Sequence, residues 1–346
     1  MHFFFGAMLV MSALIRRHRC FFTVTALGLF GFAALRYDFG NDYGNYYRCF
    51  LEIRQMGANP FATEVLYTAL NRVLPHFYWL IALSSLAFVG GVCALIRKNV
   101  PPEWMWLSFA VLLINPYLFL VHLSAIRQSL ALVCFLCAVP FAWRRKPLAY
   151  CLLMLMACGF HNSSIVLLPV YFVANGHPVS RRVTVFIALG TAGLLVLAKG
   201  LHQMLDATLL ALQLTRYRHV LGDGLHNSLR ATLLSSVSFF YLLWNMPRLR
   251  GRTLVYAKLW LIGSVLSVLA FRVSMLTRLE MYFDIFSIVA FPRMLARPRR
   301  DETLPGFLNN VVFPAAILLI LLLRYDSFFH NPMWERFCTY RTILGA

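Results

Sequence analysis

The chain has 346 residues, 60% of them apolar and only 13% charged, with a mean hydropathy of +0.69. Water-soluble domains carry about half apolar and about a quarter charged residues, so every soluble class is excluded. The formal charge of +19 would suggest nucleic acid in a soluble chain. In a membrane protein it suggests basic cytoplasmic loops instead, and no nucleic-acid partner is expected.

The first apolar run, Met1 to Ile15, is followed by its positive cluster, Arg16, Arg17, His18 and Arg19. A cleaved leader has the reverse order, so the run reads as a retained span with its N-terminus outside. A second run, Phe21 to Leu35, emerges outside into a polar, aromatic loop over residues 36–75. In that loop Thr63 to Val73, apolar on one face and carrying Glu64 and Arg72, is expected to lie along the outer surface or dip partway in.

Further spans are expected at His76 to Ile96, Trp104 to Val121, Ser124 to Trp143, Leu148 to Phe160, Ser164 to Ala174 and Val183 to Ala198. The last four follow at Ala231 to Met246, Leu254 to Phe271, Leu279 to Leu295 and Phe307 to Leu323. The expectation is an all-α polytopic membrane protein of about twelve spans (about 11 to 13), folded as a single membrane domain over 1–346. Basic turns then fall on the inner side, with 199–230 and the tail 324–346 outside.

Two of these spans, Leu148 to Phe160 and Ser164 to Ala174, are short and flank the polar break His161-Asn162-Ser163. Irregular backbone at membrane depth survives only beside protein or a water-filled cavity, so the break predicts a cavity open to the outside. The eight cysteines have no metal-site spacing. Cys49 and Cys338 fall on the same oxidising side, where a disulfide between them is conceivable. Phosphate loops of the G-x-x-x-x-G-K-[ST] type and H-E-x-x-H are absent from the sequence.

Charges outside the basic turns carry the functional signal, because an ionisable group at membrane depth is costly. Arg36, Asp38, Asp42, Arg48, Glu52 and Arg54 alternate with Tyr37, Tyr43, Tyr46 and Tyr47, which suits either a carbohydrate surface or an interfacial aromatic belt. Arg127 opens an apolar helix beside Gln128 and suits phosphate oxygens, or snorkels to the interface. Arg272, Arg278, Glu280, Tyr282 and Asp284 form a later cluster, in which Arg278 either pairs with an acid or joins Arg127 on one diphosphate. Arg216 and Arg218 are further candidates for anion binding. His161 suits a helix–helix hydrogen bond, or else proton transfer or bonding a phosphate, and Asp42 is the other candidate for proton transfer.

Gly40-Asn41-Asp42-Tyr43 with Tyr46, the triplet Ile126-Arg127-Gln128, His161-Asn162-Ser163-Ser164-Ile165, and Arg278 with Tyr282 together resemble the EpsG family, in order from Arg36 to Pro292. The family comprises bacterial multi-span proteins of exopolysaccharide, capsule and O-antigen synthesis. Asn41 departs from its commoner Gly-Thr-Asp form, and the tail from Arg324 to Ala346 has no assigned counterpart. The resemblance implies a fold similar to the C-type (GT-C) glycosyltransferases and a Wzy-type polymerase on the periplasmic side of the inner membrane. Such an enzyme joins undecaprenyl-diphosphate-linked oligosaccharides, with no cofactor, no metal and no nucleotide sugar, alongside a chain-length-regulating co-polymerase.

On that basis Arg127, His161 and Arg278 are expected to hold the departing diphosphate, with Asp42 or Glu280 activating the acceptor hydroxyl. Substrate contacts are expected from Arg36, Tyr43, Tyr46, Tyr47, Glu64, Gln128, Ser163, Arg216, Arg218, Arg272 and Tyr282. The alternatives are a lipid-linked glycan transporter (flippase), an O-antigen ligase and a membrane acyltransferase.

Overall fold

A computed structural model describes residues 1–16, 18–56, 63–211, 229–273, 276–297 and 303–345. The chain is an all-α membrane protein and divides into two compact units, Met1–Asn175 with Leu321–Ala346, and Gly176–Ile320. The first unit holds α1 (His2–Ala13), α2 (Cys20–Ala34), β1 (Arg36–Tyr37), α3 (Tyr43–Leu51), α4 (Val65–Val73) and α5 (Phe77–Asn99). It continues with α6 (Met105–Ile114), α7 (Leu120–Ser124), α8 (Ile126–Trp143), α9 (Pro147–Phe160) and α10 (Val170–Val173). The second holds α11 (Arg181–Ala211), α12 (Leu229–Asn245), α13 (Gly251–Leu269), α14 (Leu276–Asp284), α15 (Ser287–Leu295) and α16 (Leu304–Phe307). α17 (Phe313–His330) begins in the second unit and ends in the first, which β2 (Arg341–Thr342) completes.

Among the described residues four helical stretches are long and apolar enough to cross a membrane unaided: Phe77–Asn99, Ile126–Trp143, Gly251–Leu269 and Leu304–His330. Several expected spans are broken instead. The run expected over Trp104 to Val121 stops at Ile114, because Asn115 precedes Pro116 and is driven to extended backbone (φ −99°, ψ 98°). The Asn115 side chain then accepts from the Tyr117 N–H at 3.3 Å, turning the chain into α7. The run expected over Leu279 to Leu295 divides into α14 and α15, with Ser287 Oγ donating to the Asp284 carbonyl at the joint.

In the first unit α5 packs on α2 and α8, α8 on α9, and α4 on α9. α9 ends as the polar break predicts: His161 is extended (φ −155°, ψ 115°), and a 3-10 segment, Asn162–Leu167, follows before α10. Its Leu148, Leu152, Leu155 and Met156 are exposed, at the three- and four-residue spacing of one helical face, as lipid-facing residues are. In the second unit α13 packs on α11, α12, α14 and α15. Asn245 and Asn309 bury a reciprocal pair of amide hydrogen bonds there, at 2.6 and 3.2 Å.

The tail closes onto the loop after α2. β1 and β2 pair antiparallel, Arg36 opposite Thr342 and Tyr37 opposite Arg341. Tyr340 stacks on Phe32 with ring centroids 4.3 Å apart, and the Phe337 ring packs edge-on against Phe39. Gly40 takes a positive φ of 94° to make the turn, with Ser124 so close that a side chain at position 40 has no room. All eight cysteines are free thiols, so the conceivable Cys49–Cys338 disulfide is not formed.

Candidate active site

Glu64 precedes α4 as its N-terminal cap residue, and its backbone carbonyl accepts from the Thr68 N–H at 3.0 Å. Only 4% of its side chain is exposed, so its charge needs partners. Arg127, second residue of α8, donates from Nη1 to Glu64 Oε2 at 2.7 Å. His161 Nδ1 lies 2.9 Å from Glu64 Oε1. The Asn162 N–H donates to the same oxygen at 3.3 Å, and it is available because α9 has already ended. Asn162 Nδ2 also reaches Thr63 Oγ1, which ties the break to the residue before Glu64.

Burial raises the Glu64 carboxyl, but the hydrogen bonds from His161 and Arg127 outweigh it, and the group sits below its ordinary value. Glu64 is therefore an ionised, enclosed anion with one cation and one imidazole around it. Those partners are not enclosed: 24% of the Arg127 side chain and 23% of His161 are open. Against a carboxylate it is Nδ1 of His161 that carries the proton, which leaves Nε2 with its lone pair in the neutral ring. Among the described residues Nε2 has no hydrogen-bond partner.

Aromatic packing holds this corner. The Arg127 guanidinium carbon lies 5.9 Å from the centre of the Tyr46 ring, which meets Tyr67 edge-on at 6.1 Å. Tyr43, Tyr46, Phe50, Tyr67 and Phe77 share one buried cluster with Ile126 and Leu130 of α8. The start of α8 is fixed separately, since Ser129 Oγ donates to the His122 carbonyl at 2.5 Å across the α7–α8 joint.

The expected site residues divide by placement. Glu64, Arg127 and His161 come together. Gln128 is buried beside Arg127, and Ser163 is half-buried at the break. Tyr43 and Tyr46 are each 7% exposed and belong to the packed cluster that supports Arg127. Tyr47, 48% exposed, stays open.

Arg36 is buried, at 1% exposed. It donates to the Ala33 carbonyl, to Ser85 Oγ at 2.6 Å and to the Leu123 carbonyl at 2.9 Å. Asp42 is exposed at the start of α3, its N–H donating to Ser124 Oγ at 3.0 Å. Arg272, Arg278, Glu280 and Tyr282 belong to the second unit; Arg272 follows α13 with its guanidinium 4.9 Å from the Phe271 ring. Tyr282 is fully buried rather than open to a ligand. Arg216 and Arg218 lie outside the described residues.

Sequence reasoning ranked Glu64 as one contact among many, whereas it is the hub of the corner. A carboxylate immediately before an amphipathic helix was the available signal. The tail was also missed: Asn41, the departure from the family pattern, donates from Nδ2 to the Met333 carbonyl at 2.9 Å and so anchors it.

No curated protein and no solved structure matches the chain. A model of the EpsG family matches residues 19–342, continuing through the tail that the motifs left unassigned. With its helical membrane architecture and this match along nearly its whole length, the chain belongs to the EpsG family, membrane proteins of polysaccharide-polymerase type.

Proposed function

We propose that the protein is a glycosyltransferase joining undecaprenyl-diphosphate-linked oligosaccharides into O-antigen, capsule or exopolysaccharide on the periplasmic side of the inner membrane. The carrying observation is the enclosed Glu64 carboxylate holding Arg127 at 2.7 Å and His161 at 2.9 Å, both partly open. In this reading the acceptor hydroxyl oxygen bonds to the donor's anomeric carbon as the bond from that carbon to the phosphate oxygen breaks. The electron pair leaves with undecaprenyl diphosphate. Arg127 meets the charge that develops on the leaving group, in a partly dehydrated corner where a fixed cation counts for more than in water.

His161 Nε2 takes the proton of the acceptor hydroxyl, with Glu64 fixing the ring and stabilising the imidazolium, the role a carboxylate plays behind a catalytic histidine. Asp42, exposed at the start of α3, is the second candidate base. About twelve spans and a GT-C-like scaffold remain part of the proposal, as does a separate co-polymerase for chain length.

The test is the glycan profile of a deletion strain complemented by wild type, Arg127→Ala or Arg278→Ala. Loss of the ladder with single repeat units still reaching the surface, restored by wild type and not by Arg127→Ala, is the expected result. Long polymer from Arg127→Ala at normal protein levels overturns the role of that arginine, and the same outcome for Arg278→Ala removes Arg278. Loss of the single unit as well would make the protein a transporter. Polymer stranded on its lipid carrier would make it a ligase.

A further inference from the structure

A second polar feature lies in the first unit, on another face of α3. Tyr43, Tyr46 and Phe50 turn one stripe of this helix into the buried cluster that supports Arg127. Gly44, Asn45 and Arg48 form another stripe and, with Asn41 in the turn before the helix, line an open groove of about 760 Å³. The opposite wall is the turn after α17, with Met333, Glu335 and Arg336.

The groove is built rather than left over. The turn is fastened to the start of α3 by Asn41 Nδ2 to the Met333 carbonyl, and by the Gly40 N–H to the Arg336 carbonyl at 3.4 Å. The Arg336 guanidinium lies 3.7 Å from Asp38, and the strand pairing of residues 36–37 with 341–342 holds both walls in register. Gly44 keeps the floor open: a Cβ there meets nothing nearer than Arg336 Nη1, at 3.9 Å.

We propose that this groove binds the sugar chain of the lipid-linked substrate. The inference rests on the polymerase reading and deepens it. The lining chemistry selects the ligand class. Side-chain amides offer a donor and an acceptor side by side, which suits neighbouring hydroxyls. Tyr47, at the edge of the groove and half exposed, offers a ring face for sugar C–H groups.

The charged groups are nearly balanced within the groove. Arg48 is engaged by Asn45 at 2.5 Å, Arg336 faces Asp38, and Glu335 offsets one cation. A nucleic acid needs an unbalanced basic stripe, and a peptide needs a deep apolar pocket for an anchor. The groove has neither, but its volume lies in the range of ligand sites and its open form suits a chain that must advance after each transfer. Placed along α3, it lets one helix hold the glycan on one stripe and Arg127 against another.

The test uses full-length protein in nanodiscs. The probe is the repeat-unit oligosaccharide released by mild acid from the lipid-linked pool of the deletion strain, titrated calorimetrically. Arg127→Ala protein serves as the host, so that binding is read without turnover. The oligosaccharide is expected to bind Arg127→Ala, and about tenfold or more weakly once Gly44→Leu is added to fill the groove. Arg48→Glu, an exposed change that leaves the helix intact, is expected to weaken it in the same host.

Equal binding to all three proteins, or none to the host, overturns the groove assignment. The polymerase reading fails separately, if the deletion strain accumulates no single repeat units. In cells Gly44→Leu is expected to shorten the ladder while keeping single units at the surface, and an unchanged ladder also overturns the assignment.

Discussion

Arg36 and Glu64, both in the first unit, are withdrawn from water, and they are treated in opposite ways. Arg36, 1% exposed, has no acid beside it among the described residues; backbone carbonyls and one serine accept from its guanidinium. Burial lowers it to about 10, which leaves it charged at neutral pH. Glu64 is equally enclosed, but both of its side-chain partners reach the surface. A charge enclosed together with all its partners ties chain segments to one another. A charge whose partners stay open fixes the geometry of groups that can act on something else. The first is architecture; the second is the arrangement a site requires, and the proposed function rests on it.

Replacing the Glu64 charge puts the comparison under most strain. Glu64→Gln keeps the shape but removes the anion that fixes the His161 ring, and losing the carboxylate behind a histidine base costs a large factor in activity. The expected outcome is a faint ladder from normally inserted protein. Wild-type polymer would place Glu64 with Arg36.

The pH dependence sharpens the same point. The Glu64 carboxyl is held below its ordinary value, so its contribution to stability is fully present above the unfolded-state value and is lost only as pH falls through the lower, folded one. Unfolding midpoints of wild type and Glu64→Gln should therefore keep a constant gap at neutral and mildly acidic pH, closing only under strongly acid conditions. A gap that closes near neutrality would show that the carboxylate is not what the corner rests on.

Arg36→Met tests the other side. The Leu123 and Ala33 carbonyls and Ser85 would lose their donor in a buried place, at a cost of roughly 3 kcal/mol. The expected result is less protein in the membrane and a lower unfolding midpoint in detergent, with activity per folded molecule kept. Wild-type abundance together with lost polymer would make Arg36 a site residue and dissolve the contrast.

The parts legible in the sequence are those announced by local pattern. His161-Asn162-Ser163 interrupts an apolar run, and α9 ends there; Arg127 is a lone charge opening an apolar helix, and it lies against the buried Glu64. Asn115-Pro116 carried an equally local signal inside a run read as one continuous span. What local pattern does not carry is pairing at a distance. Glu64 meets Arg127 across 63 residues and His161 across 97, and nothing in the spacing of any one segment announces either contact. The pairing of the tail with residues 36–37 is more distant still. The burial of Tyr43 and Arg36 was not legible either, because a tyrosine or arginine in a polar loop can face water or anchor the loop, and only packing decides.

The gentlest test of the comparison changes no charge. Gly159, near the end of α9, lies so close to α4 that a Cβ there would sit 2.7 Å from Leu66 Cγ, two residues beyond Glu64. Gly159→Ala gains helix propensity of about 1 kcal/mol. Against that stands overpacking of about 1–3 kcal/mol, so stability should change little. What has to give is Leu66, by its side chain or with the start of α4, and a shift of α4 carries Glu64 with it. A site depends on such a displacement where an anchor does not, because Arg127 and His161 hold their positions through the same carboxylate. The expected outcome is a several-fold loss of polymer at normal protein level. Gly90→Ala in α5, where a Cβ meets nothing within 4 Å, should leave polymer unchanged. If the two variants behave alike, close packing of α4 on α9 does not position Glu64.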